Sequence, residues 1–249
     1  MKIVETTLNG KIFSIETGRM AKQADGSVAV RYGDTVVMAA ATMSNAAKEG
    51  IDFFPLTVDF EERMYAVGKI PGGYIKREGR ASEKGILTAR AIDRPIRPMF
   101  PKHMRNEVQI ITMALALDGE NQPDIMAMNA ASAALSISRI PFEGPIGGVR
   151  VGQIDGEFVL NPTNSQMQES TLDLILAGDA EGIVMMEAGA HEVSEETMLN
   201  AVEFGKKGIA ELIDLQNKLA AEINPVKAEI PAPETDDEIY NAVMKSLGK

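Results

Sequence analysis

The sequence predicts an α+β protein made of two β-sheet lobes with helices packed against them. Three observations carry that prediction. Asn9-Gly10, Gly33-Asp34 and Asp155-Gly156 each stand between short apolar-rich runs, the pattern of β-hairpins. Two helical patterns, over 83–94 and 123–139, interrupt the strand-like runs and divide them into groups. A third and longer helical pattern, from Ser194 to Ile223, follows the last of the strands.

Taken in order, KIVETTL (2–8) and KIFSIET (11–17) flank Asn9-Gly10, and VAVRY (28–32) and TVVMAAATM (35–43) flank Gly33-Asp34. FPLTVDF (54–60) alternates as a half-buried strand does. Ser82 is placed to cap a helix over 83–94, and Pro95 limits its continuation. EVQIITMALAL (107–117) reads as a buried strand. PDIMAMNAASAALSISR (123–139) reads as a helix of small residues, able to pack close to a sheet or another helix. GGVRVGQIDGEFVLNPT (147–163) is two strands around Asp155-Gly156, and TLDLILAG (171–178) and GIVMMEAG (182–189) are two more. Ser194, with Glu195, Glu196 and Thr197, opens the long helix, where acids suit the helix dipole. A Pro-rich acidic stretch, NPVKAEIPAPETDD (224–237), reads as a linker, and EIYNAVMKSLGK (238–249) restarts an amphipathic helix. That ending is expected of a chain cut before its next domain. The division this implies is a domain over 1–225, a linker over 226–237 and the start of a helical domain over 238–249.

With 249 residues, 45% of them hydrophobic and 24% charged, the chain can bury a sizeable core and shows no sign of wholesale disorder. It has no Cys, which excludes a disulfide scaffold and a thiolate zinc site and points to a reducing, cytoplasmic setting. Its first residues lack the apolar core of a signal peptide, and no run of about 18 apolar residues occurs, so no membrane partner is expected. His103 and His191 are the two histidines, and neither has a second ligand at helical spacing. No dinucleotide fingerprint, Walker sequence or nucleophile elbow is present. The Met residues at 126, 128, 185 and 186 lie in apolar runs and read as core filler.

The formal net charge is −11, but it is not evenly spread. From Arg63 to Arg105, eleven Lys or Arg stand against three acids, a local charge of +8 on a body of −19. Inside it lies PGGYIKREGRASE (71–83), which opens with a proline and two glycines and carries Tyr74 and three cations, Lys76, Arg77 and Arg80. A confined positive surface on a negative body suits an anionic polymer or phosphate bound in one place.

The segments YAVGKIPGGYIKREGRASEKGILTARAIDRPIRPMFPK and QPDIMAMNAASAALSISRIPFEGPIGGVRVG closely resemble the N-terminal half of the bacterial polynucleotide phosphorylase family. The likeness runs from IDFFPLTVDFEER through LNPT and TLDLILAG to the Pro-rich stretch. It implies an RNase PH-type domain with ribosomal protein S5 domain 2-like β-α lobes, followed by the beginning of an all-helical domain. It implies membership of a phosphorolytic 3′-to-5′ exoribonuclease active in mRNA degradation. Such an enzyme uses inorganic phosphate and Mg2+, forms a homotrimeric ring around single-stranded RNA, and associates with RNA-degradation complex proteins. The loop matching Tyr74, Lys76, Arg77 and Arg80 projects into the ring's channel in that family. An aromatic there stacks on any base, and the cations hold the backbone without reading sequence. Where many relatives have a second aromatic, this chain has Ile75.

The resemblance also implies that this copy of the domain does not catalyse. Phosphorolysis needs a phosphate cradle, carboxylates for metal or proton, and a cation for developing charge. The family's active domain supplies a serine run, two aspartates six apart, and a lysine two residues after the second. The matching positions here are Gln122, Pro123 and Asp124 for the serines, Met167 and Asp173 for the aspartates, and Ile175 for the lysine. Asp124 is expected to repel phosphate. Asp173 alone survives, so no catalytic residue and no bound metal are expected in this domain. Arg90, Arg94 and Arg97 are expected to hold phosphate, RNA backbone or another anion in the vestigial pocket, the alternative being pairing with acids such as Asp93. A self-sufficient single-domain RNase PH-type exoribonuclease is the competing expectation, and the missing groups argue against it.

Overall fold

The computed structural model describes residues 1–48, 50–231 and 237–248. Strands β1 (Lys2–Leu8) and β2 (Lys11–Thr17) pair antiparallel, with Leu8 opposite Lys11. Asn9 and Gly10 both take positive φ, 45° and 73°, as a two-residue hairpin turn requires. Strands β3 (Gly26–Tyr32) and β4 (Thr35–Ala47) continue the meander. β4 runs four residues beyond its expected end, because a bulge after Met43 lets Ala47 pair with Asn106. Asn106 Nδ2 also donates to the Ser44 carbonyl at 3.0 Å.

Strands β5 (Leu56–Glu61) and β6 (Asn106–Ala116) complete a six-stranded sheet of order β1-β2-β3-β4-β6-β5. β5 and β6 are its one parallel pair, and parallel neighbours need a crossover. The basic segment is that crossover. It leaves β5, makes a 3₁₀ turn at Met64–Val67, forms the loop 71–82, and returns through helix α1 (Glu83–Ile96). Ser82 Oγ accepts the Gly85 N–H, as its capping position predicts. The helix runs through Pro95, whose missing N–H falls in the last turn, and a 3₁₀ turn at Arg97–Met99 follows.

Helix α2 (Pro123–Ser136) stops three residues short of the expected end. There the Ser138 hydroxyl donates to the Leu135 carbonyl at 2.7 Å, offering the chain an alternative to another turn. α2 is buried along nearly its whole length, packed against β3, β4 and the second sheet. Its alanines permit that approach. Gly26 in β3 lies so close that a Cβ there would sit 2.1 Å from the Ala134 carbonyl oxygen.

The second sheet comprises β7 (Gly147–Ile154), β8 (Glu157–Leu160), β9 (Leu172–Gly178) and β10 (Ile183–Ala190), in the antiparallel order β10-β9-β7-β8. Between β8 and β9 is a one-turn helix α3 (Asn164–Met167), which the sequence reading missed. Its signal was present as a capping box, with Thr163 and Gln166 side chains serving each other's backbone N–H. Helix α4 (Glu195–Ile223), capped by Ser194, packs on β7, β9 and β1.

Residues 224–231, expected as linker, run along the domain. Lys227 Nζ donates to the Leu135 and Ser136 carbonyls at 2.9 and 3.1 Å, and the Ala228 N–H to the Arg139 carbonyl at 2.7 Å. His103 is half-buried with Nε2 3.2 Å from the Ile230 carbonyl. Burial pushes the Lys227 ammonium down to about 8. Residues 232–236 of the expected linker lie outside the described residues. Helix α5 (Asp237–Ser246) follows them. No described helix is long and apolar enough to cross a membrane.

Candidate functional site

The loop 71–82 is held at its base and free at its tip. Glu78 accepts the Met64 N–H at 3.2 Å and pairs with Arg63 at 3.5 Å, while Glu62 accepts the Ser82 N–H at 3.3 Å. Hydrogen bonds from its own and the Met64 backbone N–H, with Arg63 nearby, hold the Glu78 carboxyl below the usual range. That acid is therefore spent on anchoring. Lys76, Arg77 and Arg80 are exposed and make no ion pair among the described residues. Lys76 takes φ 52° in a tight turn closed by its N–H on the Gly73 carbonyl. Tyr74 is 100% exposed. The four residues singled out in the loop are thus presented together on one projection, with their charge uncompensated.

The pocket presents the opposite electrostatic picture. Strand alternation places Arg150 of β7 and Asp173 and Ile175 of β9 on one face, with Ile175 opposite Arg150 and Asp173 opposite Gly152. The N-terminus of α2 faces them. Arg150 is 8% exposed and spans two carboxylates. Its Nη2 donates to Asp124 Oδ2 at 3.1 Å, and its Nε lies 2.9 Å from Asp173 Oδ1. The second contact is an ion pair without hydrogen-bond alignment. Asp124 stands in the first turn of α2, where a carboxylate complements the helix dipole. Arg150 offsets part of the Asp124 charge on which the expected repulsion of phosphate rests.

What remains is a cavity of about 190 Å³ lined by Lys84, Thr88, Asp124, Arg150, Ile175 and Glu187, among others. Pro123 fills the first helical position without an N–H, and the Gln122 side chain makes no cap. Met167 sits on α3 and does not line this cavity. A divalent cation does not fit these residues. Arg150 already bridges the two carboxylates, and Met167 and Ile175 offer no oxygen. Just upstream, burial works against the Asp118 carboxylate. Hydrogen bonds from the Asn121 and Glu120 N–H groups and the Asn121 side chain outweigh it and bring Asp118 down to about 2.

The three arginines of α1 are not alike. Arg97 donates to Asp93 from Nη2 and Nε, at 2.6 and 3.0 Å, to the Phe54 carbonyl from Nη1 at 3.3 Å, and to the Leu56 carbonyl again from Nη2 at 3.1 Å. It is a brace between α1 and β5, the alternative that pairing with Asp93 had left open. Arg94 pairs with Glu187 of β10 at 3.3 Å. Arg90 is exposed and makes no ion pair among the described residues, in an open groove of about 380 Å³ between β5 and α1.

Arg150 was missed in the sequence. Its signal is a lone cation in the Val-rich strand GGVRVG, since an arginine in a buried run is rarely without partners.

The family model described as the 3′ exoribonuclease family, domain 1, matches residues 10–141, and the model for domain 2 of that family matches residues 144–208. The chain is 52% identical over 248 residues to the polyribonucleotide nucleotidyltransferase of Heliobacterium modesticaldum, covering 100% of this chain and 35% of the relative. It is 54% identical over 234 residues to that of Halalkalibacterium halodurans, covering 94% and 33%. The chain thus spans about a third of the length of these curated relatives. Among solved structures, rice Rrp46 superposes with a TM-score of 0.68 at 18% identity, over 83% of this chain and 94% of that one, a likeness of fold.

Proposed function

Because the chain belongs to the 3′ exoribonuclease family and matches polyribonucleotide nucleotidyltransferases along its whole length, we propose that it grips RNA for a phosphorolytic exoribonuclease whose chemistry is done elsewhere. The observation that carries this reading is the contrast between loop and pocket. Lys76, Arg77 and Arg80 make no ion pair among the described residues, whereas the pocket's Asp124 and Asp173 are closed on Arg150. A polyanion is drawn to the first and finds nothing to react with in the second.

In this reading the full-length protein breaks the 3′-terminal phosphodiester of RNA by attack of inorganic phosphate, releasing nucleoside diphosphate. Mg2+ and the reacting phosphate belong to a second, catalytic domain. The present domain holds the single strand by stacking on Tyr74 and by contacts from Lys76, Arg77 and Arg80 to backbone phosphates. It also forms part of a homotrimeric ring, works in the cytoplasm and meets RNA-degradation complex proteins there. Arg90, the arginine left exposed in the β5–α1 groove, gives a second contact for phosphate or RNA backbone.

The test is RNA binding as a function of salt. Arg77→Ala is expected to weaken binding to oligoadenylate and oligouridylate alike. It should also reduce the slope of log K against log salt by about 0.7, the value for one single-strand phosphate contact. A loss confined to one base sequence, or an unchanged slope, contradicts a backbone grip.

A further inference from the structure

Between Glu61 and Ser82 the chain carries one aromatic besides Tyr74, and that is Tyr65. The two are presented differently. Tyr74 is 100% exposed at the tip of the loop. Tyr65 lies on the 3₁₀ turn Met64–Val67, which is bolted to the first sheet. Ala66 beside it is 7% exposed, its N–H donates to the Arg63 carbonyl, and its own carbonyl accepts the Leu117 N–H at 2.9 Å. Gly68 ends the turn at φ 68°. The Tyr65 hydroxyl reaches the Met113 sulfur at 3.3 Å, so the ring is held across the outer side of β6, yet the residue is 53% exposed. The hydroxyl end of the ring is thus held by protein while about half of the residue's surface stays open.

Resting on the RNA-gripping reading above, we propose that Tyr65 is a second stacking platform for a nucleic-acid base. Its position beside the grip is set by Glu78, whose carboxylate holds the Met64 N–H and the Arg63 guanidinium and so ties the base of the cationic loop to this turn. A strand held by Arg77 and Arg80 passes an aromatic at the loop's root as well as the fully exposed one at its tip. A ring already restrained loses little freedom on stacking. Ile75, beside Tyr74, has no π-face, and the second base-stacking surface that the loop tip lacks is supplied by the turn.

The test is fluorescence anisotropy of a fluorescein-labelled single-stranded oligoadenylate with the full chain, across a range of salt. Tyr65→Ala is expected to weaken binding about tenfold, as loss of one base–aromatic stack does. The salt slope should not change, since no phosphate contact is removed. Tyr65→Phe keeps the ring but loses the hydroxyl on Met113, and should bind within about twofold of the parent. Tyr65→Leu keeps the apolar cover over Met113 without an aromatic face, and should fall as far as Tyr65→Ala; it serves if the alanine variant folds poorly. If Tyr65→Ala and Tyr65→Leu bind as the parent does while Tyr74→Ala binds weakly, the proposal is overturned and the RNA grip stands. A Tyr65→Phe loss as large as that of Tyr65→Ala also overturns it, by assigning the effect to the hydroxyl. If the parent chain binds no oligoadenylate at all, the RNA-gripping reading fails, and this inference with it.

Discussion

Arg150→Ala is expected to destabilise the fold by about 3 kcal/mol, the low end of the range for breaking a buried ion pair from one side. Arg150 is 8% exposed, and its guanidinium meets two carboxylates, at 3.1 and 2.9 Å. Its removal leaves Asp124 and Asp173 without the cation that bridges them. The Asp173 side chain is 46% exposed, so water relieves part of the penalty, which is why the low end applies. Urea denaturation of the two proteins measures the difference. Adding Asp124→Asn to the variant removes the more buried uncompensated charge and is expected to recover a substantial part of the loss, a coupling that a double-mutant cycle resolves. A loss below about 1 kcal/mol for Arg150→Ala would show that the three side chains do not form a closed network.

Gly26→Ala is expected to cost the fold about 3 kcal/mol or more, at or beyond the upper end of ordinary overpacking. The added Cβ would lie 2.1 Å from the Ala134 carbonyl oxygen and 2.8 Å from Ser138 Cβ. The nearer obstacle is helix backbone, so no side-chain rotation clears it. α2 must lift off β3, and the same helix carries Asp124 into the pocket. Gly72→Ala is the control, because a Cβ there meets nothing within 4 Å. It is expected to change stability by less than about 0.5 kcal/mol. Equal thermal midpoints for Gly26→Ala and the parent would mean that α2 does not sit this close to the sheet.

The hairpins were legible because turn chemistry is local. Asn9-Gly10 and Asp155-Gly156 adopt the positive φ values that their residue types favour. The caps at Ser82 and Ser194 were legible for the same reason. Helix ends were less so. α1 passes through Pro95 because a missing donor costs little in a last turn, and α2 stops early because serine hydroxyls capture its final carbonyls. The parallel pairing of β5 and β6, which makes the basic segment a crossover, is a long-range fact that no local pattern encodes.

In the candidate site, the loop cations could be found from charge clustering alone. The lack of a serine run and a second aspartate could be found only against a family pattern. The Asp124–Arg150–Asp173 triad could not be found from either, because its members come from α2, β7 and β9 and meet only when the second sheet closes on the helix. Segment 224–231 shows the same limit of local pattern. Its Pro-rich composition suggests a linker, but its lysine and backbone are engaged by α2 and Arg139.

The most direct measurement is phosphate-dependent release of nucleoside diphosphate from oligoadenylate, with magnesium present. The purified chain should first be shown to be folded and to bind the RNA. The expected result is binding without release, because among the described residues Asp124 and Asp173 are engaged by Arg150, and Glu187 by Arg94. Release that survives repeated purification and disappears in Asp173→Asn would contradict this and make the pocket a working phosphorolytic site.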